Sequence, residues 1–353
     1  MNNAVLPAAA QKPFTALHYP HSEPPPPGDI IEVAAGVFWL RMPLPWALDH
    51  VNVWLLRDGA GWIVVDTGRG SEETRALWQR VFDTTLEGLP IESVIATHFH
   101  PDHVGLASWL TERFQARFWM TAAEYLTGQA LLQNASHYSN DAVNTMFRRH
   151  GLDDGRLGNL PNRNETYRRD VGALPPSFRR LKDGDQIDIG GCVWRVIVGH
   201  GHAPEHASLY CAAKNVLIAG DMVLPRISPN ISVWPAEHDG DPLRLFLESL
   251  ERFAELPRNT LVLPSHGKVF QGLHARLRQL QQHHRSRLDE LETFCAVPRT
   301  AAEAVAALFK RALDDHQWFF AMGEIIAHLN YLLARKKLRC DEGADGVCRF
   351  TQA

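Results

Sequence analysis

Three imidazoles and a carboxylate fall within six positions of the stretch Thr97-His98-Phe99-His100-Pro101-Asp102-His103-Val104-Gly105. This stretch directly follows the apolar run Val94-Ile95-Ala96, so a buried strand is predicted to deliver it into a short loop. Alternation along a strand points His98 and His100 the same way, and the turn begun by Pro101 brings Asp102 and His103 over a neighbouring point. A single histidine on an apolar strand is more often a hydrogen-bonded core residue, but this cluster predicts two adjacent metal positions.

Three later predicted strands also end in metal-binding side chains: residues 193–198 lead into His200 and His202, residues 216–219 into Asp221, and residues 261–263 into His266. Ligands delivered from strand ends are held rigidly, and loops at one edge of a sheet can complete a coordination shell without deforming the core. The donors divide into two sets that Asp221 can bridge: His98, His100 and one histidine of the third loop, and Asp102, His103 and His266. Imidazole and carboxylate without thiolate favour Zn, with Mn or Fe as alternatives.

The elements before the cluster form a β/α unit. Strands are predicted at residues 33–41, 51–56 and 62–65, and a helix at residues 71–87. The last of these strands ends in Asp66-Thr67-Gly68, which taken alone is typical of a turn.

Residues 121–181 do not continue this β/α pattern. Helices are predicted at 122–134 and 140–149, whereas 151–169 is polar and lacks clear periodicity. Because a long loop in a compact domain is usually functional or disordered, we interpret the region as a helical insertion with an irregular arm over the metal loop. Five of its side chains could line a substrate pocket, although ordinary packing explains each equally well: Tyr125, His137, Tyr138, Phe147 and Tyr167.

Composition limits the class of protein. A chain of 353 residues with 45% hydrophobic content favours one large domain with a smaller appendage. A net charge of -4 gives no reason to expect a nucleic-acid or membrane-surface protein, and no run reaches the roughly 18 apolar residues that a membrane span needs. Five scattered cysteines without CxxC spacing favour the reducing cytoplasm. Residues 1–28, with four consecutive prolines at 24–27, predict an extended lead-in rather than a signal peptide.

Together these motifs resemble the metallo-β-lactamase-fold hydrolases, which include glyoxalase II, other thioester hydrolases, lactonases, β-lactamases and RNA-processing nucleases. The family motif of two histidines, an Asp and a His matches His98, His100, Asp102 and His103. The resemblance makes Asp66 a support for the metal loop, Asp221 the bridging ligand and His266 the final one.

The third loop departs from the family pattern. The family's Gly-His-x-Pro-Gly-His is similar to Gly201-His202-Ala203-Pro204-Glu205-His206, which makes His202 the ligand and places His206 near the site without binding metal. Glu205 stands where the family usually has Gly, and His200 lies two residues before His202. A register with His200 as the ligand therefore stays open.

The resemblance implies an α/β fold, a four-layer αββα sandwich, over residues 29–270 with the helical insertion at about 121–181. Residues 271–353 carry helical patterns at 273–294, 302–313 and 322–333 and then a small hairpin, which resembles a winged-helix module. Arg335-Lys336-Lys337 forms a basic patch there. We expect the module to serve packing or homodimer contacts and do not expect nucleic acid as its partner, since interleaved aromatics are missing.

The predicted function is hydrolysis by a dinuclear metal centre. Two divalent ions can bridge a hydroxide at neutral pH and polarise a carbonyl, and Asp102 can orient the water or accept its proton. A common zinc β-lactamase would have Cys where this chain has Asp221. We therefore expect a small-molecule acyl substrate, a thioester of the hydroxyacylglutathione or acyl-CoA kind. The alternatives are a lactonase, an RNA endonuclease and a non-catalytic metal-dependent ligand sensor.

Overall fold

The computed structural model describes residues 16–310 and 312–353. Residues 1–15 of the predicted lead-in lie outside this range. The described part of the lead-in is fastened to the body of the protein, because the backbones of His18 and Gln271 exchange hydrogen bonds of 3.0 and 2.8 Å and Gly28 N donates to Arg41 O at 3.2 Å.

The first sheet has seven strands in sequential order: β1 (Ile30–Ala34), β2 (Val37–Pro43), β3 (His50–Asp58), β4 (Gly61–Val65), β5 (Ile91–Ile95), β6 (Arg117–Thr121) and β7 (Arg179–Leu181). Strands β1 to β4 pair antiparallel, and β4 to β7 pair parallel. The prediction of a single strand at residues 33–41 is wrong. Gly36, with φ of 72°, reverses the chain there and makes β1 and β2 a hairpin.

The second sheet has five strands in the spatial order β12, β11, β10, β9, β8: β8 (Gln186–Ile189), β9 (Cys192–Gly199), β10 (His206–Cys211), β11 (Val216–Gly220) and β12 (Leu261–Pro264). Only β11 and β12 pair parallel. A separate hairpin joins β13 (Leu338–Glu342) to β14 (Cys348–Gln352).

The described residues form eleven α-helices: α1 (Glu72–Thr84), α2 (Pro101–Val104), α3 (Ala107–Phe114), α4 (Ala122–Leu132), α5 (Asn140–Arg149), α6 (Asp154–Leu157), α7 (Arg163–Val171), α8 (Pro242–Phe253), α9 (Leu273–Phe294), α10 (Ala301–Leu308) and α11 (Asp315–Ala334). Helices α6 and α7 lie where the sequence predicted an irregular arm. Their polar sequence hides the apolar period, but Asp153 and Asn162 cap their first turns through Arg156 N and Glu165 N.

Three apolar layers stack through the body of the protein. Buried Trp39, Trp54 and Trp194 lie in the layer between the two sheets. A second layer joins the first sheet to α1 and α3, and a third joins the second sheet to α8. These three apolar cores lie between four layers of secondary structure, namely helices, the first sheet, the second sheet and helices. The predicted αββα sandwich is therefore confirmed.

The C-terminal helices share the third core. Ile325 and Ile326 of α11 and Leu280 of α9 lie in the same buried cluster as Phe246 of α8 and Val262 of β12. Residues 271–353 therefore pack against the sandwich over a continuous apolar contact. Three helices followed by a hairpin match the predicted element order, and the likeness to a winged helix stays a prediction.

Within residues 16–310 and 312–353, no helix combines the length and the apolar character needed to cross a membrane.

Candidate metal centre

The centre lies where strand ends of the two sheets meet. Strands β4 and β5 run parallel and end side by side, and Asp66 N donates to Ile95 O at 2.8 Å. The second sheet joins the same edge, because Ala207 N donates to Thr97 O at 2.8 Å. Loops leaving both sheets therefore converge on one point, as expected for carboxyl ends of neighbouring strands.

One group of donors consists of His98, His100 and His202. His98 Nε2 lies 2.8 Å from His100 Nδ1 and 3.3 Å from His202 Nε2. One ligand atom from each residue falls within 4.8 Å of the other two, a spacing that could hold a metal ion.

The other group consists of Asp102, His103 and His266, with Asp221 between the groups. Asp102 Oδ2 lies 3.5 Å from both His103 Nε2 and His266 Nε2. Asp221 Oδ1 is 3.8 Å from His103 Nε2, and its Oδ2 is 3.3 Å from His202 Nε2 and 3.6 Å from His266 Nε2. The Asp221 carboxylate thus spans both groups, as the bridging prediction requires.

The donor atoms fit divalent cations. His103 Nε2 and Asp221 Oδ1 are fully buried and have no hydrogen-bond partner among the described residues. Burying unpaired polar atoms is costly, and cations between the two groups would satisfy both. Nitrogen and oxygen donors in this number suit Zn, Mn or Fe.

Four imidazoles of the ligand set have a partner for their second nitrogen. His98 Nδ1 lies 3.0 Å from Thr97 Oγ1. His103 Nδ1 donates to Asp66 Oδ2 at 2.8 Å, and His202 Nδ1 donates to Asn230 O at 2.8 Å. His266 Nδ1 donates to His50 O at 2.7 Å. These bonds fix the tautomer that leaves Nε2 free for metal.

Electrostatics also favour cations. Burial lowers the pKa values of His98 and His100 well below their usual range, so both rings are neutral. Burial also lowers the pKa of His103, but Asp102 and the other carboxylates around it outweigh this and raise it well above its usual value. For Asp102, burial raises the pKa, but His103 and His266 more than offset it and bring it to about 2. The centre therefore attracts positive charge.

The third loop brings His202, and not His200, to the donor groups. His200 Nδ1 bonds to Pro204 O at 2.7 Å. His206 is buried beside His98, and its Nε2 accepts a hydrogen bond from Asp221 N at 3.1 Å. His206 thus holds the backbone of Asp221.

The five residues predicted to line a substrate pocket lie in different surroundings in the structure. Tyr138 packs against Trp234 with ring centroids 6.3 Å apart, and Tyr167 Oη donates to Phe99 O at 2.7 Å. His137 is exposed. The pocket role is wrong for Tyr125, because its Oη donates to Pro175 O and its ring stacks on Phe178. Phe147 packs in the third core and also lines a small cavity with Arg163, Trp234 and Phe319.

Sequence reasoning missed Glu124. Its buried carboxylate accepts from Phe99 N at 3.0 Å and from Glu205 N at 2.6 Å, which ties the first histidine loop to the third. Glu205 is held in turn, because its Oε2 accepts from Ala123 N at 3.1 Å. The position of Glu124 in the sequence could have identified it, because it follows the end of β6 at the edge of the sheet where the other strands deliver their ligands.

The comparisons agree with this geometry. Residues 46–266, more than half of the chain, match the family described as the Metallo-beta-lactamase superfamily. The chain belongs to this superfamily. Residues 288–353 match a second family, described as Metallo-beta-lactamase-like, C-terminal domain.

Two solved structures align over nearly the whole chain. A beta-lactamase domain protein from Burkholderia ambifaria is 48% identical with a TM-score of 0.89, over 96% of this chain and 98% of that one. A metallo-beta-lactamase family protein from Thermus thermophilus is 28% identical with a TM-score of 0.79, over 91% of this chain and 100% of that one.

A curated relative points in the same direction. The Bacillus subtilis protein named "Probable metallo-hydrolase YqjP" is 25% identical over 86% of this chain and 93% of its own length. Superfamily membership and the two donor groups support a metallo-hydrolase that uses divalent metal ions.

Proposed function

We propose that this chain hydrolyses a thioester with two divalent ions, Zn by preference, held by His98, His100, Asp102, His103, His202, Asp221 and His266. The carrying observation is that the Asp221 carboxylate lies within 3.8 Å of donors of both groups. One carboxylate in that position favours two adjacent ions over a single one. When bound, such ions lower the pKa of water toward neutrality and polarise a carbonyl oxygen.

The residues of the chain have separate tasks in this proposal. Asp102, with a pKa of about 2, is ionised at neutral pH and can orient a water or accept its proton. Asp66 and the backbone oxygens of Asn230 and His50 keep three imidazoles in one orientation. No serine or cysteine nucleophile is required.

The alternatives have weaker support. A lactone presents the same acyl carbon and is the nearest variant. An RNA endonuclease would need free cations, but Arg335 pairs with Asp241 at 3.2 Å and Lys337 with Glu292 at 3.7 Å. A non-catalytic ligand sensor would not need the full set of metal-binding donors.

For the C-terminal helices we propose a packing role, because they share the third core with the sandwich. Homodimer contacts are also part of the proposal.

A cytoplasmic location is part of the proposal. All five cysteines are free thiols, which fits a reducing compartment.

Metal analysis and a panel of substrates test the function. We expect purified protein to bind two divalent ions and to cleave an acyl-glutathione or an acyl-CoA faster than a homoserine lactone or a structured RNA. His100→Ala should lose metal and nearly all turnover. His200→Ala is the matched control, because this imidazole faces Pro204 O instead of the donor groups.

Two results would reject the proposal. One is His100→Ala with full metal content and normal turnover, and the other is RNA cleavage abolished by His100→Ala in a protein without acyl hydrolysis.

A further inference from the structure

Arg163, the first residue of α7, contacts three aromatic rings. Its guanidinium carbon is 4.4 Å from the ring centroid of Trp234, 4.6 Å from that of Phe319 and 5.7 Å from that of Phe320. Stacking fixes the plane of the guanidinium and contributes cation–π attraction. It does not supply a negative charge.

Within residues 16–310 and 312–353, Arg163 forms no ion pair and no side-chain hydrogen bond. Other arginines differ in this respect. Arg69 pairs with Asp170 at 2.6 Å, and the buried Arg276 donates to Ile227 O at 2.7 Å. Arg163 is half-buried, and a guanidinium partly withdrawn from water usually has such partners, so its hydrogen-bonding atoms are left for a ligand.

Helix α7 carries this cation to the metal centre. Tyr167 lies four residues further along, on the same helix face, and bonds to Phe99 O between the ligands His98 and His100. Trp234, under the guanidinium, packs against Phe99 with ring centroids 6.2 Å apart. Burial does most to lower the pKa of His100, and Arg163 is close enough for its charge to lower it further.

We propose that Arg163 binds a carboxylate of the substrate and so makes the enzyme selective for anionic thioesters. This inference rests on the proposed hydrolysis of thioesters. A planar guanidinium matches one carboxylate through two parallel hydrogen bonds, and its single positive charge balances the single negative charge of that group. Burial lowers the pKa of Arg163 only to about 10, so its charge is present at neutral pH.

Aromatic side chains continue outward from Arg163. His316 lies 4.9 Å from Phe320 and 6.5 Å from Trp46, measured between ring centroids. Tyr138 adds its ring on the other side of Trp234. These surfaces suit the apolar part of a substrate whose carboxylate is held by Arg163.

Three metal-loaded proteins test the inference: wild type, Arg163→Met, which keeps length and apolar contact, and Arg163→Lys, which keeps the charge. The substrates are neutral S-phenyl thioacetate, mono-S-phenyl thioadipate with its carboxylate on the acyl side, and S-(4-carboxyphenyl) thioacetate with its carboxylate on the thiol side. Wild type should prefer at least one anionic thioester by roughly 10- to 100-fold in kcat/KM. The preferred compound shows which side carries the carboxylate.

Arg163→Met should abolish this preference by raising KM for the preferred anionic thioester far more than KM for the neutral one, and it should keep full metal content. Arg163→Lys should restore part of the preference. Arg113→Met is the matched control, because it removes a guanidinium stacked 4.8 Å over Phe82 in the outer layer. Equal loss by Arg163→Met on all three substrates, or a wild type without preference, would overturn the inference.

Failure of the proposed function gives a different result. If wild type cleaves none of the thioesters, calorimetry can measure the affinity of mono-S-phenyl thioadipate and of S-(4-carboxyphenyl) thioacetate, which then act as ligands. Tighter binding to wild type than to Arg163→Met then supports the anion site although hydrolysis is rejected. Equal affinities overturn the anion site as well.

Discussion

At the scale of single residues, Asp66 decides which nitrogen of His103 faces the metal centre. Its carboxylate accepts from His103 Nδ1 at 2.8 Å and also from Thr97 N at 2.8 Å. Asp66 has φ of 64°, a conformation that few side chains other than Asn and Asp adopt readily. One residue therefore sets both the turn after β4 and the orientation of a ligand.

Asp66→Asn separates these two tasks. Asn tolerates the left-handed backbone, so the turn should persist, whereas loss of the charge weakens the hold on His103. We expect metal affinity to fall roughly 10- to 100-fold, measured by competition with a chromophoric chelator.

The control for this substitution is Asp170→Asn. Asp170 is a buried carboxylate whose partners are Arg69 and Arg169, so loss of its charge should lower stability without lowering metal affinity. An Asp66→Asn protein with wild-type affinity would contradict the role given to Asp66.

At the scale of elements, α4 connects loops from both sheets. The two oxygens of Glu124 accept from Phe99 N after β5 and from Glu205 N after β9. The helical insertion therefore begins with a group that fixes the distance between two ligand loops.

Glu124→Gln should lower the free energy of unfolding by about 1–3 kcal/mol. An amide has one acceptor oxygen instead of two, so either Phe99 N or Glu205 N is left buried without a partner. Urea denaturation measures the loss. The exposed Glu165→Gln on α7 is the control and should change stability by less than about 0.5 kcal/mol; a similarly small effect at Glu124 would show that the two loops do not depend on it.

The sequence predicted most of the elements that carry ligands because those strands are buried and end in polar loops. Continuous apolar runs such as residues 193–198 and 216–219 need only local information to be recognised. Alternation along a strand predicted the pairing of His98 with His100. The bridging position of Asp221 was predicted from the count of donors in four loops and from the family resemblance.

Other features depend on contacts between distant residues and could not be predicted. Asn230 receives the hydrogen bond of His202 through its backbone oxygen, which any residue type could supply. Arg163 lies beside Trp234 and Phe319, which are far away in the chain. The helices α6 and α7 lack an apolar period because so much of their surface is polar.

At the scale of the whole molecule, the C-terminal helices hold the connecting loop, residues 222–235. Arg276 of α9 donates to Leu224 O and Ile227 O, and Val233 N donates to Gly323 O of α11 at 3.3 Å. This loop carries the backbone oxygen that orients His202. The C-terminal region is thus part of the framework of the metal centre.

Two buried histidines extend the same contact. His328 Nδ1 donates to Glu324 O at 2.8 Å, so its Nε2 accepts from His284 Nδ1 at 3.1 Å. His284 Nε2 is then left to accept from Ser228 Oγ at 3.1 Å. This chain of bonds requires both rings to be neutral, and burial accordingly lowers the pKa of His328 to about 4 and that of His284 to about 2.

Acidification should therefore destabilise the contact between the sandwich and the C-terminal helices. An unfolded histidine titrates near pH 6.5, so below that pH the unfolded chain binds protons that the folded protein excludes. Stability is full above about pH 6.5 and falls toward pH 4, with His328 alone accounting for roughly 3 kcal/mol.

His328→Gln removes one titrating group and should flatten the dependence of unfolding free energy on pH between about pH 7 and about pH 5. Because the metal centre is the same in both proteins, the difference between the two profiles isolates His328. His137→Gln, at an exposed histidine, should follow the wild-type profile. Parallel profiles for His328→Gln and wild type would refute the explanation.

The connecting loop and α7 have different roles at the site, and this difference has a consequence for how the sequence can change. The connecting loop orients a ligand, so its sequence is constrained by metal binding. In the role proposed above, Arg163 on α7 contacts the substrate, whereas α7 supplies no ligand to the centre. Changes at the first turn of α7 should then alter substrate selectivity while the metal ligands are retained.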